Sequence, residues 1–207
     1  MSARRHAARE PSADPGWTHR SVRVGDHQVH VRISDPVPAA TPIVHVHGFA
    51  ISGTYLMPTA RRLAARAPNV VPDLPGYGGS ESWGATLGIP ALAEALLALL
   101  DALGLDRVVI VGNSMGCPVA LEVAHVAPER VERIVLASPA GGMYNQPLSR
   151  GLVQLARDGR REDVTMARVA VPDYLRFGRR TRSGCSASWC ATRRSSGCCG
   201  CPCRGSG

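Results

Sequence analysis

Val108-Val109-Ile110-Val111-Gly112-Asn113-Ser114-Met115-Gly116 decides the fold. Four consecutive β-branched residues ending in glycine are too few for a helix and too apolar for a surface strand, which predicts a buried strand over 107–111. A G-x-S-x-G string follows at once, and the spacing then predicts a helix over about 115–126. A tight strand-to-helix turn lifts a serine off the sheet edge, where its hydroxyl can act as a nucleophile. Glycines two residues to either side, here Gly112 and Gly116, remove the side chains that would clash in such a turn. A bare G-x-S-x-G arises by chance in about one chain in fifteen of this length at ordinary glycine and serine usage. The strand before it and the helix after it therefore carry the reading, against the plainer alternative of a βα turn with a helix-capping serine.

Outward from this stretch, strand and helix patterns alternate. Residues 18–24 and 27–33 flank the turn dipeptide Gly25-Asp26 and read as an antiparallel hairpin. Residues 43–46 form a short buried strand. Residues 54–66 form a helix with Leu56, Ala60, Leu63 and Ala64 at helical spacing, and residues 69–72 a further strand. A glycine-rich loop over 75–79 leads to a helix over 90–103 with Pro90 in its first turn, where proline is tolerated. The strand over 131–137 follows the 115–126 helix. This is an α/β layer pattern with a mainly parallel, twisted sheet flanked by helices, and the core is expected over 17–142. Beyond it, 148–155 and 164–171 read as amphipathic helices with no strand between them, which suits a partial helical cap over 143–179.

Residues 180–207 contain no Val, Ile, Leu, Met or acidic residue but six of the seven cysteines, so no core can form there. This Arg/Gly/Ser/Cys-rich tail and a leader over 1–16 are expected to be disordered. Zinc is not expected in the tail, because no histidine assists the cysteines and the interleaved arginines would repel a cation. The remaining Cys117 should pack as a small apolar side chain.

Charge follows the same division. The net +8 falls entirely in the last 65 residues, since residues 1–142 hold 12 Arg against 12 acidic residues. A neutral core argues against a nucleic-acid partner. The leader lacks the apolar centre of a secretory signal. The longest apolar stretch, 89–100, is interrupted by Glu94 and is far short of the roughly 20 residues that span a bilayer. A cytoplasmic chain without membrane partners is expected.

Two further motifs surround the serine. In His45-Val46-His47-Gly48-Phe49-Ala50 the H-G pair places a backbone N–H at the mouth of the same site. The N–H groups of Phe49 and Met115 would then converge on the oxyanion of a tetrahedral intermediate, helped by the dipole of the helix that Met115 opens. His47 is read as a core histidine holding this loop in place, and His45, two residues earlier on the same face, as structural too. Asp73-Leu74-Pro75-Gly76-Tyr77-Gly78-Gly79-Ser80 supplies a D-x-x-G-x-G-x-S string after the fourth strand. It lacks the G-K-[ST] ending of a phosphate-binding loop.

The H-G loop, the D-x-x-G-x-G-x-S loop and the serine elbow occur in the order and at the spacing of the α/β-hydrolase fold superfamily, which the chain resembles over 18–142 and more weakly to 179. The resemblance implies an acyl-enzyme on Ser114, formed from a small carbonyl substrate (ester, lactone, amide or C–C bond) without a cofactor. It implies an oxyanion hole at Phe49 and Met115, support from His47, Gly48, Gly112 and Gly116, no metal, and a structural role for Asp73. A serine at this position argues against the branches that attack with aspartate, the haloalkane dehalogenases and epoxide hydrolases. The elbow is similar to that of hydrolases acting on ring-fission diketones, though many esterases share it.

The family places an acid after a sixth or seventh strand and a histidine after the eighth. No histidine follows His125 here, and His125 lies roughly 16 Å along its helix from Ser114. The later acidic residues, Glu132, Asp158, Glu162, Asp163 and Asp173, have no strand-end context. The sheet is therefore expected to lack its last strands, with the chain truncated or frame-shifted near Arg179 and its activity impaired. The alternatives are a non-catalytic small-molecule-binding module, or an inactive fragment with an exposed edge at 131–137.

Overall fold

The computed structural model describes residues 14–83, 87–139, 171–173 and 175. Six strands form one sheet: β1 (Trp17–Val24), β2 (His27–Ser34), β3 (Ile43–Val46), β4 (Asn69–Pro72), β5 (Val108–Asn113) and β6 (Val131–Ala137). Their order is β1-β2-β4-β3-β5-β6. The hairpin closes with Val24 opposite His27, leaving Gly25 and Asp26 as a two-residue loop. Gly25 supplies the positive φ, +58°, that such loops demand. β2 runs antiparallel to β4, whereas β4, β3, β5 and β6 are mutually parallel. The mainly parallel sheet inferred from sequence is present.

Among the described residues α1 (Met57–Leu63), α2 (Ile89–Ala102) and α3 (Gly116–Val126) cover the sheet. Leu92, Leu96, Leu99 and Leu100 recur at helical spacing on α2 and are all buried, against Val31, Val44 and Ile110 of the sheet and Val119 and Val123 of α3. A smaller cluster of Leu56, Met57, Ala60 and Val71 packs with Trp17 and Tyr55. Val70 belongs to the first cluster and Val71 to the second, as alternation along a strand requires when both faces of the sheet are covered.

Two elements differ from the sequence reading by two residues or more. The helix expected over 54–66 begins as a 3₁₀ turn, Gly53–Leu56, becomes α-helical only at Met57 and stops at Leu63. Pro58, with no N–H to donate, fits only the first turn, so the α-helix starts just before it. β5 extends to Asn113, two residues past the expected end, because β6 pairs with it as far as Asn113 opposite Ala137.

The first expected cap helix, most of the second, most of the leader and the tail lie outside the described residues. Residues 171–173 and 175 are helical. No helix among the described residues is long and apolar enough to cross a membrane.

Candidate active site

The parallel strands β3 and β5 lie side by side and end together, with Val46 opposite Gly112. The loops that leave their carboxyl ends therefore adjoin. Ser114 occupies the turn between β5 and α3 at φ +52°, a left-handed conformation that a non-glycine residue adopts at a cost of order 1–3 kcal/mol. Its N–H donates to the Ala137 carbonyl at 3.0 Å, and its own carbonyl accepts from Cys117 N–H at 3.1 Å. The turn is thus held from β6 on one side and by the first turn of α3 on the other.

The flanking glycines are required by packing. A Cβ on Gly112 would come within 2.5 Å of the Gly116 carbonyl oxygen, and one on Gly116 would overlap the Val46 carbonyl oxygen. Both obstacles are backbone and cannot swing aside. α3 consequently starts hard against the end of β3, with Met115 as its N-cap. The first N–H groups of a helix have no intrahelical partner and are available to an anion.

Gly48 brings the second loop against the serine. A Cβ there would lie 3.2 Å from Ser114 Cβ and 3.6 Å from Ser114 Oγ. Phe49, the next residue, has its side chain half exposed, with its ring 6.3 Å from that of Tyr77. Ala50 holds φ +63°, a second strained residue within three of the H-G pair. The structure thus brings Ser114, Met115, Gly48, Phe49, Gly112 and Gly116 to one end of two adjacent strands.

His47 is fully buried. Its Nδ1–H donates to the Gly48 carbonyl and its Nε2 accepts from Leu74 N–H, each at 2.8 Å. Both ring nitrogens are thereby used, one as donor and one as acceptor, which is the pattern of a neutral imidazole. Burial pushes its pKa down. His45 is equally buried; its Nε2–H donates to Asn69 Oδ1 at 2.7 Å, and its Nδ1 has no partner among the described residues. Burial lowers its pKa as well. His125 lies in the last turn of α3. Among the described residues no histidine is hydrogen-bonded to Ser114 Oγ.

Asp73 joins three segments. Its carboxylate takes two hydrogen bonds from Arg32, at 2.8 and 3.3 Å, and one each from Gly53 N–H at 2.7 Å and Gly79 N–H at 2.8 Å. Burial alone would raise its pKa, but the Arg32 charge and these donors outweigh it and hold the carboxyl below its ordinary range. Asp73 therefore ties its own glycine-rich loop both to the loop carrying Phe49 and to the hairpin.

Three side chains that sequence reasoning gave no role also face this region. Tyr55 Oη accepts from Gly48 N–H at 3.0 Å and donates to Asn113 Oδ1 at 2.6 Å, bridging the two loops. Tyr77 packs edge-on against His47, donates to Met115 Sδ at 3.7 Å, and has a phenol that burial pushes up to about 12. Asn113 stands inside the elbow motif, but Tyr55, at the edge of an expected helix, gave no signal beyond its nearness to the H-G pair. Among the described residues no group of three or more His, Cys, Asp or Glu side chains could hold a metal.

A profile of the alpha/beta hydrolase fold matches residues 41–194, and the chain belongs to that family. It is 36% identical over 148 residues to the lipase LipV of Mycobacterium tuberculosis, covering 71% of this chain and 50% of the lipase. It is also 36% identical over 112 residues to a 2-hydroxy-6-oxo-2,4-heptadienoate hydrolase of Pseudomonas putida, covering 51% of this chain and 40% of that enzyme. A solved N-acyl homoserine lactone degrading enzyme superposes with a TM-score of 0.53 at 28% identity, over 58% of this chain and 45% of the other. The chain spans half or less of the length of these relatives.

Proposed function

We propose that this alpha/beta hydrolase is a serine hydrolase in which Ser114 attacks a small carbonyl substrate, an ester or lactone before an amide or C–C bond, to give an acyl-enzyme. The observation that carries the reading is the φ of +52° at Ser114. A strained turn of this kind, walled by two glycines that backbone contacts require, has no structural purpose that an ordinary βα turn would not serve better. The lipase and lactone-degrading relatives lend support to the choice of substrate class.

In the proposed reaction, Ser114 Oγ adds to the carbonyl carbon and the carbonyl oxygen becomes an oxyanion between the N–H groups of Phe49 and Met115. Removing one such donor ordinarily costs about 10²–10³ in rate. Both His47 nitrogens are engaged, so the hydroxyl proton passes to solvent water as the bond forms. Collapse of the oxyanion breaks the bond to the leaving group, which departs protonated by water and leaves the acyl group on Ser114. Acylation is then driven by the oxyanion hole and binding alone, which in a stripped serine site retain roughly 10³–10⁴ over water. Slow, serine-dependent acylation is the expected behaviour of this chain.

Incubation with p-nitrophenyl acetate and intact-mass measurement tests the reading. A single acetyl adduct that maps to Ser114 and disappears in Ser114→Ala supports it. A folded chain that carries no adduct, or the same adduct in the variant, refutes it. The commitment of both His47 nitrogens favours one second reading, a module that binds hydrophobic esters or acids without turnover. Saturable binding by the unacylated chain would favour that reading over the first.

A further inference from the structure

Asp173, beyond the core in sequence, lies against the loop that carries Phe49. Asp173 is 8% exposed, and its Oδ2 accepts two hydrogen bonds from Ser52, from the backbone N–H at 2.9 Å and from Oγ–H at 2.5 Å. Ser52 is itself buried. Its one hydroxyl hydrogen goes to the carboxylate, so the Ser52–Thr54 hydroxyl contact at 3.0 Å must have Thr54 as donor. Thr54 Oγ1 in turn accepts from Arg32 at 3.0 Å. The hydrogens all point one way, Arg32 to Thr54 to Ser52 to Asp173. Arg32 thus serves two buried carboxylates, Asp73 directly and Asp173 through two hydroxyls.

The loop between Gly48 and Gly53 is fixed at three amides: Gly48 N–H by Tyr55, Ser52 N–H by Asp173 and Gly53 N–H by Asp73. Phe49 N–H lies inside this span, next to the strained Ala50. Two of the three anchors come from the core. The third comes from a residue 121 positions away in sequence.

We propose that Asp173 is a positioning residue that locks the oxyanion loop by accepting both Ser52 hydrogens, so that a residue beyond the core in sequence sets the geometry of the Phe49 N–H. The catalytic half of this statement rests on the serine-hydrolase reading above. The locking half does not. Both hydrogen bonds from Ser52 end on one oxygen, an acceptor that asparagine can replace with its carbonyl.

The test compares the full-length parent with Asp173→Ala and Asp173→Asn by hydrogen–deuterium exchange over 48–53 and by the rate of fluorophosphonate labelling at Ser114. Asp173→Ala is expected to exchange these amides at least about tenfold faster, with Asp173→Asn restoring most of the protection. Exchange unaltered in Asp173→Ala, or raised as much in Asp173→Asn as in Asp173→Ala, overturns the lock. If the parent labels, Asp173→Ala should label about tenfold more slowly at saturating probe, and Asp173→Asn should recover. Equal labelling rates in all three chains would overturn the positioning role. A parent that does not label at all counts against Ser114 as nucleophile, while the exchange result still decides the lock.

Discussion

Gly116 at the start of α3 and the backbone of Val46 at the end of β3 approach so closely that a Cβ on Gly116 would lie 2.7 Å from the Val46 carbonyl carbon. Neither partner is a side chain that could turn away. Gly116→Ala is therefore expected to cost about 3 kcal/mol or more, at the upper end of overpacking. Gly112→Ala should behave similarly, since its Cβ would meet backbone of Gly116 and Cys117. Urea denaturation of purified variants reads both, and a loss below about 1 kcal/mol would mean that the elbow is looser than its geometry.

Strain at the elbow gives a prediction of the opposite sign. Glycine at position 114 would adopt φ +52° without penalty. Ser114→Gly should leave the unfolding free energy unchanged or raise it by up to about 1 kcal/mol, while removing any acylation. A fall of about 1 kcal/mol or more, the ordinary cost of glycine within regular structure, would show that Ser114 is not strained.

The buried Arg32–Asp73 pair should be costly to halve. Asp73→Ala leaves a buried guanidinium without its partner and removes the acceptor of Gly53 N–H and Gly79 N–H. A loss of about 3–5 kcal/mol is expected by equilibrium unfolding. A change under about 1 kcal/mol would indicate that water replaces the carboxylate.

Acid should weaken the fold in two stages. His45, His47 and His30 have pKa values lowered by burial from the ordinary 6.5. As pH falls below about 6.5 the unfolded chain takes up protons that the native chain refuses, so stability declines from there down to the native pKa values. Asp73, held below its ordinary 3.8, adds a second loss as pH falls below that value through its native pKa. Unfolding free energies between pH 8 and 5 check the first stage, and a flat profile would contradict neutral buried histidines.

The fold was legible in the sequence because its signals are local. Ile110 and its β-branched neighbours, the alternation around Gly25-Asp26 and the leucines of α2 each report burial through a pattern a few residues long. The glycines of the elbow were legible too, since only close backbone approach explains them. Tyr55, Tyr77 and the Asp173–Ser52 contact were not. Each depends on which loops meet at the sheet's edge, and separations of 58 and 121 residues leave no periodic trace. Pro58 was a legible start signal for α1 that the reading over 54–66 did not use, and the 3₁₀ turn before it is set by the Ser52 cap on Thr54 N–H, which is itself a loop contact.

Among the described residues β6 pairs on one side only, with β5. Val135 and Leu136, on opposite faces of it, are 51% and 41% exposed. An apolar unpaired edge promotes self-association. Val135→Lys with Leu136→Lys should shift the chain toward monomer in light scattering, with its circular dichroism spectrum preserved. Unchanged association would place the sticky surface elsewhere.

The most direct measurement is the reaction of the full chain with a fluorophosphonate, followed by intact mass and peptide mapping, beside Ser114→Ala. A slow, stoichiometric adduct on Ser114 that is absent from the variant is the expected result. A folded chain that stays unmodified, or is modified equally in Ser114→Ala, would contradict Ser114 as the nucleophile.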